Sequence, residues 1–209
     1  MEIKINSWAN GAAIPEKFAF GKIPNEGHFA LSSNVNPTIA WRGAPEETQS
    51  YAIICHDPDA PSSSEFVNQE GKTVPADLAR VDFYHWVLVN IPAHITQIAE
   101  GEDSTSVTPK GKHPEQKAYG LTGINSYTDW FAGDAEMAGN YGGYDGPCPP
   151  WNDSIPHRYY FTVYALDVET LNLHGAFTGT EALAALEGHI LAKASHMGTY
   201  SMNPKLVAE

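Results

Sequence analysis

The chain has 209 residues and a formal charge of −13, and nine charged histidines would still leave −4. A general nucleic-acid binder needs a basic face and an anionic membrane surface would repel this chain, so both classes are set aside. With 42% hydrophobic and 18% charged residues, 18 glycines and 15 prolines, the sequence describes a folded, turn-rich chain long enough to bury a sizeable core.

From Met1 to Trp8 no basic region leads into an apolar stretch, so no secretory signal is expected. No run of about 18 apolar residues predicts a transmembrane helix. Two cysteines, Cys55 and Cys148, make no disulfide framework and fit a reducing, cytoplasmic compartment. No repeat or linker interrupts residues 1–209, which read as a single domain.

Three segments alternate with the period of a strand. Over 50–57, Tyr51, Ile53, Cys55 and Asp57 share a face. Over 82–91, Phe83, His85, Val87, Val89 and Ile91 share one. Over 157–167, His157, Tyr159, Phe161, Val163 and Ala165 lie opposite Arg158, Tyr160, Thr162 and Tyr164, so both faces are rich in strand formers. Pro37, Pro58, Pro61, Pro92, Pro147, Pro149, Pro150 and Pro156 are expected in loops, because proline cannot donate to a ladder. Residues 62–80 read as a polar excursion with one helical turn at 75–80, and 126–140 as a second long loop. A late helix is expected, capped by Thr180, with Leu183, Leu186, Ile190 and Ala194 as its stripe and its end near Gly198. The fold class is mainly β: an antiparallel sandwich with a C-terminal helix and a few short ones.

Asp57, His85 and His157 each sit on an apolar strand face beside a turn. Buried without partners such groups are costly, so they are expected to converge at one rim. The glycine–proline run 142–150 supplies close backbone approach and N–H donors. Histidines with free backbone N–H groups suit a small oxyanion such as phosphate, and Tyr159 can add a hydroxyl. Asp57, His85, His157 and Cys148 lack any close-spaced ligand pair, so no metal or cofactor is expected. The residues also permit a hydrolase using Asp57 or a histidine as general base, but nucleophile-elbow, phosphate-loop and metalloprotease motifs are lacking.

The run His56-Asp57-Pro58-Asp59-Ala60-Pro61, then Tyr84-His85-Trp86 through Asn90-Ile91-Pro92, then Gly146-Pro147-Cys148-Pro149-Pro150 with Pro156-His157-Arg158-Tyr159 resembles the phosphatidylethanolamine-binding protein family. Tyr164-Ala165-Leu166-Asp167 and the Gly-Pro-Cys-Pro-Pro run are similar to its prokaryotic Raf-kinase-inhibitor-like branch. The resemblance spans about 34–201. It implies a β-sandwich with a small anion pocket at one end, built from Asp57, Asp59, Pro61, His85, Gly146, Pro147, His157 and Tyr159. It further implies a non-enzymatic protein that takes phosphate or phosphorylethanolamine-like head groups, with a protein partner or a homodimer as possible associations. Phe83 departs from the family's frequent tryptophan.

Overall fold

The computed structural model describes residues 1–207. Strand β1 (Glu2–Lys4), a 3-10 turn (Glu16–Phe18), β2 (Gly21–Lys22), β3 (Ala30–Leu31) and β4 (Ile39–Arg42) precede the long strands β5 (Ser50–Pro61) and β6 (Arg80–Pro92). Short strands β7 (Gln97–Ile98), β8 (Gln116–Lys117) and β9 (Gly120–Thr122) follow, then helix α1 (Tyr127–Trp130). The chain closes with β10 (His157–Leu166), α2 (Gly179–Leu186), β11 (Ile190–Tyr200) and α3 (Pro204–Val207).

An antiparallel six-stranded sheet runs β11-β10-β5-β6-β9-β8, and a smaller sheet runs β1-β4-β7. One face of the large sheet gives Tyr51, Ile53, Cys55, Trp86, Leu88, Phe161 and Val163 to a core closed by Ile39, Trp41 and Ile98 of the small sheet. The other face gives Ala52, Ile54, Val87, Val89 and Leu166 to a second core beneath Ala182 and Leu186 of α2. A sheet covered on both faces explains why β10 shows strand formers on both sides.

The face assigned to 82–91 needs correction. His56 pairs with Tyr84 but Cys55 with Trp86, so His85 is an extra residue in the ladder. Such a bulge inverts the alternation beyond it. Phe83 and His85 keep the Asp57 side, whereas Val87 and Val89 turn to the α2 core and Trp86 and Leu88 to the sandwich core. A second irregularity between Val89 and Asn90, where Asn90 has φ of 54°, restores Ile91 to the sandwich side. Pro58 and Pro61 lie within β5, and Pro92 ends β6. β5 pairs with β10 only from Ser50 to His56, so at Pro58 no ladder partner on that side misses an N–H.

The late helix is shorter than its periodicity predicts. Thr178, not Thr180, caps it through a reciprocal pair with Glu181: the Thr178 hydroxyl accepts from the Glu181 N–H and the Glu181 carboxylate from the Thr178 N–H. Gly188, at φ +83°, follows the helix end, and residues from Ile190 onward form β11. The spacing 186, 190, 194 mimicked a helical stripe, while Ala192, Ala194, His196, Gly198 and Tyr200 carry a true period of two toward the interior. The expected helical turn at 75–80 is a single hydrogen-bonded turn over 75–78, with the Leu78 N–H on Pro75 O at 3.3 Å, and Arg80 already begins β6. Thr178→Ala is expected to lower unfolding free energy by about 1 kcal/mol, read from denaturant midpoints. A loss below a few tenths would mean that tertiary packing alone holds α2.

Candidate functional site

A cleft of about 310 Å³ opens where β5, β6 and β10 meet the two long loops. Asp57, His85, His157 and Tyr159 all line it, each at most 3% exposed. Pro61 lines it as well. Asp59, Gly146 and Pro147 do not line it. The Asp59 carboxylate takes Arg158 at 2.8 and 2.9 Å and also the Arg158 N–H. Burial alone would raise its pKa, but the Arg158 contacts hold it below the usual carboxylate range.

The glycine-rich run offers fewer donors than its composition suggests. The N–H groups of 142–146 go to Lys112 O, Gly123 O, Asp103 Oδ2, His85 O and Asn34 Oδ1 in turn. Pro147 O accepts from Phe20 and Gly21. These bonds lock the loop to the strands, so the expected free backbone N–H groups of 142–146 are already committed.

The two histidines differ sharply. His157 Nδ1 meets Asp57 Oδ2 at 2.7 Å and its Nε2 meets Asp153 Oδ2 at 2.9 Å. Burial would lower its pKa, but the Asp153 and Asp57 carboxylates raise it to about 9, so the ring is an imidazolium near neutrality with both N–H groups used. Asp153 also takes both terminal nitrogens of Arg80, at 2.6 and 3.1 Å, and Arg80 reaches on to the carbonyls of Asp59 and Pro75. Two carboxylates and two cations thus alternate along a buried chain that starts in the floor with Asp57 and His157 and continues to Asp153 and Arg80 outside the lining. Asp57 Oδ1 accepts from the Asp59 N–H at 2.7 Å, the Asx turn that its Asp-Pro-Asp setting favours.

His85 Nδ1 lies 2.8 Å from Asp145 O. A carbonyl only accepts, so Nδ1 carries the proton and Nε2 is the lone-pair nitrogen. Burial lowers its pKa to about 4, against the opposing pull of Asp57, and the ring is neutral. Phe83, Tyr127 and Tyr159 surround it with centroids 4.9, 5.6 and 5.1 Å away. Burial keeps the Tyr159 phenol protonated; its hydroxyl, beside Asp57, meets no partner at hydrogen-bond geometry among the described residues. Tyr127 O–H is spent on Gly146 O at 2.7 Å.

Both long loops build walls. Ser63, Ser64, Val67 and Asn68 come from 62–80, and Tyr127, Trp130 and Phe131 from 126–140. Phe20, Phe29 and Val81 complete an apolar throat, and Phe29, Val81 and Trp130 remain about half exposed at its rim. Sequence reasoning missed Asp153 and Arg80. Asp153 carries one signal, its place four residues before His157; Arg80 carries none beyond opening a strand.

Cys55 is buried in the sandwich core and Cys148 lines the cleft with Sγ 3.8 Å from Met202 Sδ; both are free. Burial raises the Cys148 thiol to about 12 and the Cys55 thiol well up, so neither is a ready thiolate. Among the described residues no helix is long and apolar enough to cross a membrane.

A buried polar floor under aromatic walls, at one end of an antiparallel sandwich, defines a ligand-binding protein. The family model for Phosphatidylethanolamine-binding protein matches residues 4–201, and the chain belongs to that family. It is 34% identical over 180 residues to a UPF0098 protein of Methanothermobacter thermautotrophicus, covering 86% of this chain and 91% of the relative. It is 28% identical over 202 residues to the UPF0098 protein YbhB of Escherichia coli, covering 96% and 100%. Among solved structures it is similar to E. coli YbcL, described as a new member of the mammalian PEBP family, with a TM-score of 0.66, 25% identity and 96% and 97% coverage. The putative PEBP homolog CT736 of Chlamydia trachomatis superposes with a TM-score of 0.64 at 26% identity, covering 96% of each chain.

Proposed function

We propose that this protein binds, without chemical turnover, small molecules that join a phosphate-like oxyanion head to an apolar body. One observation carries the reading: the Tyr159 hydroxyl is buried, unpartnered and set in the floor of a cleft whose throat is aromatic. An unpaired buried donor is costly unless a ligand completes it. Phe20, Phe83, Tyr127 and Phe131 supply flat apolar surface above it, matching a ligand with one polar end. His157 supports binding rather than hydrolysis, because both its nitrogens hold carboxylates and neither is free to carry a proton to or from a substrate. The unpaired, protonated thiols suit a reducing interior such as the cytoplasm.

Phenyl phosphate and inorganic phosphate test this by calorimetry. Burying a phenyl ring is worth roughly 1.5–3 kcal/mol, so phenyl phosphate should bind about 10- to 100-fold tighter. Tyr159→Phe removes only the hydroxyl and should weaken phenyl phosphate about tenfold or more, since hydrogen bonds to charged groups contribute roughly 1.5–3 kcal/mol. The bound ester should be recovered intact. Equal affinity for the two phosphates, or a folded Tyr159→Phe variant that binds like the parent, overturns the reading; phenol release above the buffer rate would favour a hydrolase.

A further inference from the structure

The floor holds an unusual balance of hydrogen-bonding groups for an anion site. Its cations are engaged: His157 by Asp57 and Asp153, Arg80 by Asp153, and Arg158 by Asp59. The backbone donors of 142–146 are committed within the protein. Among the side chains at the floor, the Tyr159 O–H is the buried donor left unpaired, and the Cys148 N–H of the adjoining wall lies outside the committed run. Two acceptors line the same cleft. The Asp57 carboxylate has accepted one N–H on each oxygen, which leaves each a lone pair. His85 has its proton fixed on Nδ1 by Asp145 O, so its other nitrogen is a lone pair left for the cleft. Ser63, Ser64 and the Asn68 amide belong to the 62–80 wall.

A fully ionised oxyanion carries only acceptors. Against this floor it would find one side-chain donor, at Tyr159, and would set its own lone pairs against those of His85 and Asp57. An oxyanion that keeps one proton solves both problems, donating with its O–H and accepting with its other oxygens. We propose that the cleft selects its ligand in protonated form, as the monoanion of a phosphate or phosphonate monoester whose O–H is donated to Nε2 of His85 while another oxygen accepts from Tyr159. The inference rests on the reading of the cleft as an oxyanion-head site and adds the protonation state in which that head is taken. It excludes aryl and alkyl sulfates, which match the charge of the phosphate monoanion but carry no proton.

The groups that face His85 are consistent with a neutral ring. Asp57 on β5 favours a proton on it, and His157 on β10 opposes one. Tyr127 on α1, Tyr159 on β10 and Phe83 on its own strand enclose it with rings, Asp145 O meets its Nδ1, and the Gly146 main chain also favours a proton on the ring. Burial dominates this set, which is why the free ring stays neutral to about pH 4.

The decisive comparison is phenyl phosphate against phenyl sulfate on the intact chain, by calorimetry from pH 5.5 to 8. A phosphate monoester loses its second proton near pH ~6, so the supply of monoanion falls about tenfold for each pH unit above that. Phenyl phosphate affinity should fall about tenfold between pH 7 and 8. Phenyl sulfate should bind at least tenfold more weakly than phenyl phosphate at pH 5.5. Histidine ¹⁵N spectra of the phenyl phosphate complex should show His85 still as the Nδ1–H tautomer, with Nε2 accepting. Equal affinity for the two esters at pH 5.5, or a doubly protonated His85 in the complex, overturns the inference and leaves the oxyanion-head reading standing. Failure of both esters to bind at any pH overturns that reading, and the inference with it.

Discussion

Asp153→Ala is expected to destabilise the protein by roughly 3–5 kcal/mol, the cost of breaking a buried ion pair from one side. Asp153 is 1% exposed and answers two cations, His157 through Nε2 and Arg80 through both terminal nitrogens. Its loss leaves Arg80 charged in a site where its side chain is only 11% exposed, and leaves His157 with Asp57 alone. The same chain sets a pH dependence. The folded pKa of His157 is about 9 against about 6.5 when unfolded, so the folded state holds the extra proton between those values. Stability from this group is complete below about pH 6.5 and is lost as pH rises through 9. The full rise corresponds to something on the order of 3 kcal/mol. At the acid end, burial would raise the Asp153 pKa but His157 and Arg80 hold it below its ordinary value. Its contribution is therefore present above about pH 4 and disappears as pH falls through that lowered value. Denaturant unfolding at pH 6 and 9.5 should show the parent losing stability toward alkali. Asp153→Ala should be weaker at pH 6 and lose less on going to pH 9.5, because its His157 has a lower folded pKa. A parent curve flat from pH 6 to 9.5, or an alanine variant within 1 kcal/mol of the parent, would falsify this account of the chain. Asp153→Asn separates charge from shape: it should recover part of the loss, since an amide oxygen still accepts from Arg80 or His157.

How far the sequence could be read depended on where the backbone was regular. β10 alternates without interruption, and Tyr159, Phe161, Val163 and Ala165 fall on one face as their spacing predicts. β6 breaks the alternation at His85 and again near Asn90, so a strict period of two misplaced Val87 and Val89. No side-chain pattern announces a bulge. The helix boundary failed for a different reason: four-residue spacing of Leu186, Ile190 and Ala194 satisfied the helical template while Gly188 ended the helix. The lining of the cleft by Asp57, His85, His157 and Tyr159 was legible, because polar groups on the apolar faces of three strands are costly inside a core and are tolerated where those strands reach a cleft. Their protonation was not legible. It depends on Asp153, which reaches His157 from a loop, and on the carbonyl of Asp145, a backbone atom that sequence does not display. Two histidines that look alike in the sequence therefore become a fixed cation and a neutral acceptor.

Gly146→Ala is the second large effect, and it separates a packing role from a ligand role for the residue. A Cβ on Gly146 would sit 1.9 Å from Phe18 O and 3.0 Å from the Ala19 Cα, both backbone atoms that cannot rotate aside. Gly146 is also tied in place. Its N–H is held by Asn34 Oδ1 at 2.8 Å, and its carbonyl accepts from Tyr127 O–H at 2.7 Å. Phe18 O in turn accepts from Tyr144 O–H at 2.6 Å, so neither segment can retreat without opening a buried bond. Overpacking a core typically costs about 1–3 kcal/mol, and a clash between two pinned backbones belongs at or above the top of that range. Gly146→Ala should thus lower unfolding free energy by at least about 3 kcal/mol or prevent folding at 37 °C. Gly133→Ala is the control, since nothing lies within 4 Å of its added carbon; it should change stability by less than about 0.5 kcal/mol. If Gly146 instead served the ligand by close approach, its alanine variant would unfold like the parent and lose phenyl phosphate binding. A stable, non-binding Gly146→Ala protein would sink the packing account and return the residue to the cleft. A destabilised one means that this glycine exists so that the 142–146 run can lie flat against Phe18 and Ala19, which in turn sets the Asp145 carbonyl against His85.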